Sequence, residues 1–266
     1  MNLNSFAHSD EPSPRRSDAP WVETVASGPT AVPTLRDAEV HVWYLRLGSD
    51  LPGLTGRGCC RDWLDEEEAS RAERYRHPQA REAFVRTRAY LRWLLGQYLE
   101  MAPNAIRFTL NRHGKPRLAE SQEDRGLVFN VSHSGHLALL GFARDSPLGL
   151  DVEQLRPRRQ LEPLADYCFS AAERKRWRKL APEQRLAAFV RYWTVKEAFC
   201  KATGRGITLG LKNVSVAADF QGFDSVPEGL GVADAWSLHT WDIGDYRCAL
   251  VSRNPAATII HFPVEP

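Results

Sequence analysis

Apolar positions recur in two rhythms along this chain. Residues 39–47, EVHVWYLRL, gather β-prone side chains with few breakers, which predicts a strand. LGSDLPGLTGRGCC is loop-like on its glycines. LDEEEASRAERYR reads as a helix start, where Asp65 can cap the first turn and Glu68 can return the bond three residues later. In REAFVRTRAYLRWLLGQYL, Phe84, Tyr90, Leu91, Leu94 and Leu95 supply apolar positions at helical spacing. After Pro103, AIRFTL reads as a strand leading into the turn NRHGKP, with Gly114 allowing the bend.

The same signals then return. PLGLDVEQL predicts a short strand, and FSAAERKRWRKL offers Ser170 and Glu173 as a second capping box. FVRYWTVKEAFCK is the second long helix, and LKNVSV the strand after it. Asp65 stands 19 residues before Phe84, and Ser170 stands 19 before Phe189. Both long helices carry the letters FVR, at an offset of 105. This pattern predicts an internal duplication: an α+β fold of two similar halves, helices packed on small antiparallel sheets, related by a pseudo-twofold axis. The halves are expected at 37–146 and 147–266, behind a disordered leader over 1–36 that holds five prolines among Ser, Asp and Arg. A cleft between two such halves is a natural ligand site. WSLHTWDIGDYRCALVSR reads as a hairpin completing the second sheet, turning at Gly244, and FQGFDSVPEGLGVADA as a loop.

Composition narrows the classes. With 266 residues and a hydrophobic fraction of 43%, the chain can bury a sizeable core. It has no apolar run long enough to span a membrane, and its first twenty residues lack the apolar block of a signal peptide, so a cytoplasmic location is expected. Five scattered cysteines without C-x-x-C spacing fit reduced thiols better than disulfides or zinc. A net charge of +2 is too weak to argue for nucleic acid. Residues 154–191 nonetheless hold ten Lys or Arg against four acids, which is either a solvated helix face or a docking surface for an acidic partner.

The chemistry-bearing residues lie on separate elements. In LGLDVEQ, strand alternation puts Leu148, Leu150 and Val152 on one face and Asp151 and Glu153 on the other. In the last long helix, Phe189, Tyr192, Val195, Phe199 and Ala202 form the core stripe. Trp193, Glu197 and Lys201 stack on nearly the opposite side, and an exposed Glu–Lys pair there would contribute only a few tenths of a kcal/mol. Oxygen donors from Asp151, Glu153 and Glu197 suit Mg²⁺, which shares its sites with phosphate. Lys115 projects from the NRHGKP turn, and FNVSHSGH brings Ser132 and His133 to a strand end, where an anion could be cradled.

Together these residues resemble the 4′-phosphopantetheinyl transferase superfamily, in its long, monomeric Sfp-type branch. The resemblance runs from about residue 40 to 217, through GKP at 114–116, FNVSHSG at 129–135, LGLDVE at 148–153, FSAAE at 169–173 and WTVKEAFCKATGRGI at 193–207. It implies transfer of the phosphopantetheine arm of coenzyme A to a serine of an apo carrier protein. Asp151, Glu153 and Glu197 then look like ligands of Mg²⁺, for which Mn²⁺ can substitute. Lys201 looks like the lysine at the reacting phosphorus, and Glu197 is the candidate base, directly or through water. Lys115, Ser132 and His133 look like coenzyme A ligands, and Arg71 falls where the family has a basic residue for the adenosine end. Glu173 occupies the acidic position of the FS-x-x-E motif, which its capping role explains equally well. The expected partner is a carrier with an acidic surface; no nucleic acid or membrane is implied. The rivals are a carrier-binding module without activity and a Mg²⁺-dependent phosphodiesterase or nuclease. Nuclease sites place Glu and Lys two apart on a strand, whereas here they stand four apart in a helix pattern.

Overall fold

The computed structural model describes residues 32–47, 60–123, 126–158 and 160–264. The leader expected over 1–36 and the loop LGSDLPGLTGRGCC fall almost wholly outside them. In chain order come β1 (Glu39–Arg46), α1 (Glu66–Glu73), α2 (Pro78–Leu99), β2 (Phe108–Leu110), β3 (Pro116–Leu118), the single turn α3 (Glu120–Glu123), β4 (Leu127–Ser134) and β5 (Leu137–Arg144). There follow β6 (Leu148–Gln154), α4 (Leu161–Cys168), α5 (Ala171–Arg178), α6 (Pro182–Thr203), β7 (Ser215–Val216), β8 (Phe223–Ser225), β9 (Ser237–Ile243), β10 (Tyr246–Ser252) and β11 (Thr258–Val264). Among the described residues no helix is long and apolar enough to cross a membrane.

Both capping boxes form. Asp65 accepts from the Glu68 N–H and Ser170 from that of Glu173, each glutamate returning the bond. The long helices α2 and α6 are each 22 residues, open on a proline and end on a left-handed residue, Glu100 or Gly204. A residue of α2 or α6 then closes on the capping glutamate. Arg92 Nε lies 2.6 Å from Glu68 Oε2, and Lys196 Nζ lies 2.7 Å from Glu173 Oε2. Strand order repeats as well: β1-β5-β4 in one sheet matches β6-β10-β9 in the other. FQGFDSVPEGLGVADA is not all loop, since it contains β8, which pairs with β7 as β3 pairs with β2. β11 has no counterpart in the second sheet; it pairs with β1 and runs parallel to it.

Alternation along the strands sorts the side chains into layers. Trp43, Leu45, Leu140 and Phe142 face α2 with Leu91, Leu94 and Leu95. Their neighbours Val42, Tyr44 and Leu139 point the other way and meet Leu148, Leu150, Val152 and Leu250 of the second sheet. Ala249 and Val251 face Phe189, Val195 and Phe199 of α6. The order is helix, sheet, sheet, helix.

The two sheets meet at edge strands β4 and β6, and the junction is made by side chains. Asn130 Oδ1 accepts from Leu150 N at 2.7 Å, Ser132 Oγ from Val152 N at 3.3 Å and Ser134 Oγ from Gln154 N at 3.1 Å. Partners on one strand are two apart and so are those on the other, so β4 and β6 run parallel. Edge-strand N–H groups left without acceptors would invite foreign pairing. Here three short polar side chains satisfy them.

Candidate functional site

Gly149 sets the distance between β6 and α6. A Cβ at that position would stand 1.9 Å from Ala198 O and 2.3 Å from Ala202 N, so the helix backbone rests directly on the strand. That contact brings Glu197 and Lys201 against Asp151. Lys201 Nζ donates to Asp151 Oδ1 at 2.7 Å, to Ser132 Oγ at 2.8 Å and to Leu150 O at 3.2 Å. Ser132 Oγ donates in turn to Asp151 Oδ1 at 2.7 Å. With Val152 N also bound, the Ser132 hydroxyl is saturated and belongs to the junction between the two sheets. Between Phe189 and Ala202 of α6, Trp193, Glu197 and Lys201 are half-buried, as is Arg191, and the predicted stripe from Phe189 to Ala202 is buried.

The three carboxylates feel one another. Burial raises Glu197 to about 7, and the Asp151 charge adds to it. Glu153 is also raised, by burial first and then by Asp151, although it accepts from Ser134 Oγ at 3.2 Å and has Arg158 at 3.6 Å. Asp151 Oδ2 and Glu197 Oε1 are buried without a hydrogen-bond donor. A carboxylate oxygen in that condition costs free energy unless a cation meets it. These two oxygens could hold a hard divalent cation. Among the described residues no three or more Asp, Glu, His or Cys side chains stand gathered as a finished metal cage.

A cavity of about 340 Å³ opens beside this cluster, with walls from residues between Arg71 and His133 and from Cys200 to Gly206. Arg71, Lys115, His133 and Lys201 all line it. Lys115 Nζ donates to Leu148 O at 2.9 Å and Lys201 O at 2.7 Å, and burial, then the Lys201 charge, lowers it to about 8. Asn111 Nδ2 donates to Gly204 O at 2.8 Å. The β2–β3 turn thus straps the C-terminal end of α6. His133 remains exposed to solvent, yet protein crowding first, then Lys201, holds it below the ordinary histidine value. Glu173 is fully buried and serves its cap, Lys196 and Val216 N, which is a structural role. Sequence reasoning did not assign the cavity residues Asn130 and Arg88, among others, to the site. Arg88 was findable, since it lies one helical turn from Phe84 and one from Arg92.

Residues 147–251 match the family described as the 4′-phosphopantetheinyl transferase superfamily, and residues 59–143 match the N-terminal family of 4′-phosphopantetheinyl transferase. 4′-phosphopantetheinyl transferase HetI of Nostoc sp. is 38% identical over 205 residues, covering 77% of this chain and 83% of its own. 4′-phosphopantetheinyl transferase psf-1 of Bacillus pumilus is 29% identical over 195 residues, 72% of this chain and 79% of that one. Among solved structures, holo-[acyl-carrier-protein] synthase from Neisseria meningitidis covers 40% of this chain and 95% of its own, at 20% identity and TM-score 0.32, a likeness too slight to argue from.

Proposed function

The chain belongs to the 4′-phosphopantetheinyl transferase superfamily, and we propose that the cleft between its halves carries out the transfer with a divalent metal on Asp151, Glu153 and Glu197. The enzyme moves the phosphopantetheine arm of coenzyme A to a serine of an apo carrier protein, making it a holo-carrier-protein synthase. A bond forms between the serine oxygen and the phosphorus, and the pyrophosphate P–O bond breaks. Adenosine 3′,5′-bisphosphate leaves, and the serine proton passes to a base.

What supports the metal reading is the pair of donorless buried oxygens, Asp151 Oδ2 and Glu197 Oε1, beside the Lys201 ammonium. Magnesium, or manganese in its place, would supply charge neutralisation at the pyrophosphate. Lys201, aimed at the leaving phosphate oxygen, stabilises charge that develops there. It does so by giving up one of its three bonds, those to Asp151, Ser132 and Leu150 O. Glu197 accepts the serine proton, directly or through water. Arg71 and His133 face coenzyme A from the cavity wall, and Lys115 holds the lower end of α6 in place. The matching order of helices and strands supports a pseudo-twofold relation of the halves. We further infer a cytoplasmic monomer whose basic segment 154–191 meets an acidic carrier, a match that speeds encounter more than it tightens binding.

Incubation with coenzyme A, Mg²⁺ and apo carriers from fatty acid, polyketide and nonribosomal peptide systems tests this. At least one carrier should gain the phosphopantetheine mass, and a chelator should stop the gain until Mg²⁺ or Mn²⁺ is restored. Transfer that continues in chelator would overturn the metal assignment.

A further inference from the structure

The polar side chains that join β4 to β6 follow an alternating pattern, and the pattern serves two ends. Asn130, Ser132 and Ser134 each accept one edge N–H of β6, from Leu150, Val152 and Gln154. At Asn130 the contact serves backbone alone, because the residue before Leu150 is Gly149. The residues before Val152 and Gln154 are acids. Ser132 Oγ donates to Asp151 Oδ1 at 2.7 Å, and Ser134 Oγ donates to Glu153 Oε2 at 3.2 Å. Serines two apart on one strand thus hold carboxylates two apart on its parallel neighbour, each pair separated by 19 residues of sequence.

A hydroxyl has one proton to give and two lone pairs to receive. Ser132 receives from Val152 N and from the Lys201 ammonium, so its proton is committed to Asp151 Oδ1. Asp151 is 5% exposed; its Oδ1 has two donors, Ser132 and Lys201, and its Oδ2 has none among the described residues. A carboxylate gripped at one oxygen cannot turn freely, so the other oxygen keeps a fixed direction. Lys201 cannot maintain that grip throughout the reaction, since it gives up one of its bonds to meet phosphate. Ser132 makes all its contacts within the junction and stays. Ser134 is half-buried and its bond is longer, and Glu153 also has Arg158 at 3.6 Å, so this second grip is the looser one. His133, between the two serines, lines the cavity instead.

We propose that Ser132 and Ser134 are positioning residues, which orient Asp151 and Glu153 in advance for the divalent cation. The inference rests on the metal reading above. Hydrogen-bond partners behind a ligand fix its orientation, and a ligand already ordered loses less freedom when the cation arrives.

Mn²⁺ titrated into the full-length enzyme, with coenzyme A present and carrier absent, reads the effect without turnover. Asp151→Asn is the reference for a lost ligand and should abolish tight binding. Ser132→Ala should weaken Mn²⁺ about 10- to 100-fold, the range for partners behind metal ligands, and Ser134→Ala about 3- to 10-fold. Ser132→Thr, which keeps the hydroxyl, should recover part of the loss. In transfer assays the Mg²⁺ concentration for half-maximal rate should rise in the same order, while KM for the carrier stays within about threefold. Unchanged Mn²⁺ affinity in both alanine variants, whatever their melting temperatures, would make the serines supports of the strand edge alone and overturn the proposal. Should Ser132→Ala not fold, Ser134→Ala decides by itself. Wild type that binds Mn²⁺ no better than Asp151→Asn would sink the metal reading and this proposal together. Serine variants that match a wild type clearly tighter than Asp151→Asn would sink this proposal only.

Discussion

Lys196 Nζ lies 2.7 Å from Glu173 Oε2, and neither side chain reaches solvent. Two carbonyls, Leu211 O and Val214 O, take further bonds from the same ammonium. In the same way, Arg92 of α2 meets Glu68, the capping residue of α1. Each long helix is therefore pinned to the cap of the short helix before it by a buried ion pair. Removing one partner of such a pair leaves the other charge uncompensated. Lys196→Met should cost about 3–5 kcal/mol, read as a lower Tm or urea midpoint. Adding Glu173→Gln should recover part of the loss.

Gly149 permits the closest approach in the site. A methyl there meets backbone, which cannot rotate away. Gly149→Ala should destabilise the fold by about 3 kcal/mol or more. It should also abolish transfer at temperatures where the variant is still folded, because lifting α6 from β6 parts Lys201 from Asp151. Circular dichroism melts run beside the carrier-mass assay separate these two effects.

Glu197 is the case where function and stability oppose each other. Its Oε1 is buried without a donor, and the group is raised to about 7 mainly by burial. Glu197→Gln should reduce transfer by roughly 10²–10⁴-fold, the range for loss of a general base. In metal-free buffer at pH 8 its Tm should equal or exceed that of wild type, since a neutral amide replaces a poorly paired carboxylate. A collapsed variant would instead assign Glu197 a structural role.

His41, 1% exposed on β1, carries a pH signature. Its Nδ1 shares a hydrogen bond with Tyr98 Oη at 2.8 Å, its Nε2 stands 3.5 Å from Glu39, and Phe262 of β11 packs edge-on against the ring. Burial holds it below the ordinary histidine value, with Glu39 opposing. The unfolded chain therefore takes up the proton first as pH falls below about 6.5, and stability drops through that window. His41→Gln should flatten the acid side of the Tm–pH profile by its own share. His239 and His261, also lowered by burial, keep theirs.

Much of this molecule was legible because it is local. Asp65 with Glu68, and Ser170 with Glu173, are three residues apart, so the capping boxes could be read before any contact was known. The stripe from Phe189 to Ala202 needs only 3.6 residues per turn, and the D-x-E of β6 needs only alternation. The offset of 105 between the two FVR stretches was readable in the same way. These are the facts the sequence by itself determined, because hydrogen-bonding and steric rules act over a few residues.

Tertiary structure decided the rest. No periodicity says that Asn130, Ser132 and Ser134 close on β6, that Lys115 reaches the carbonyls of Leu148 and Lys201, or that β11 returns to β1. Lys201 turning to Asp151, and Arg88 standing 3.5 Å from Glu68 across α1 and α2, are likewise outcomes of packing. Such contacts join residues twenty to more than two hundred positions apart. Their geometry is set by how helices and sheets fill space together, and that depends on the whole core at once.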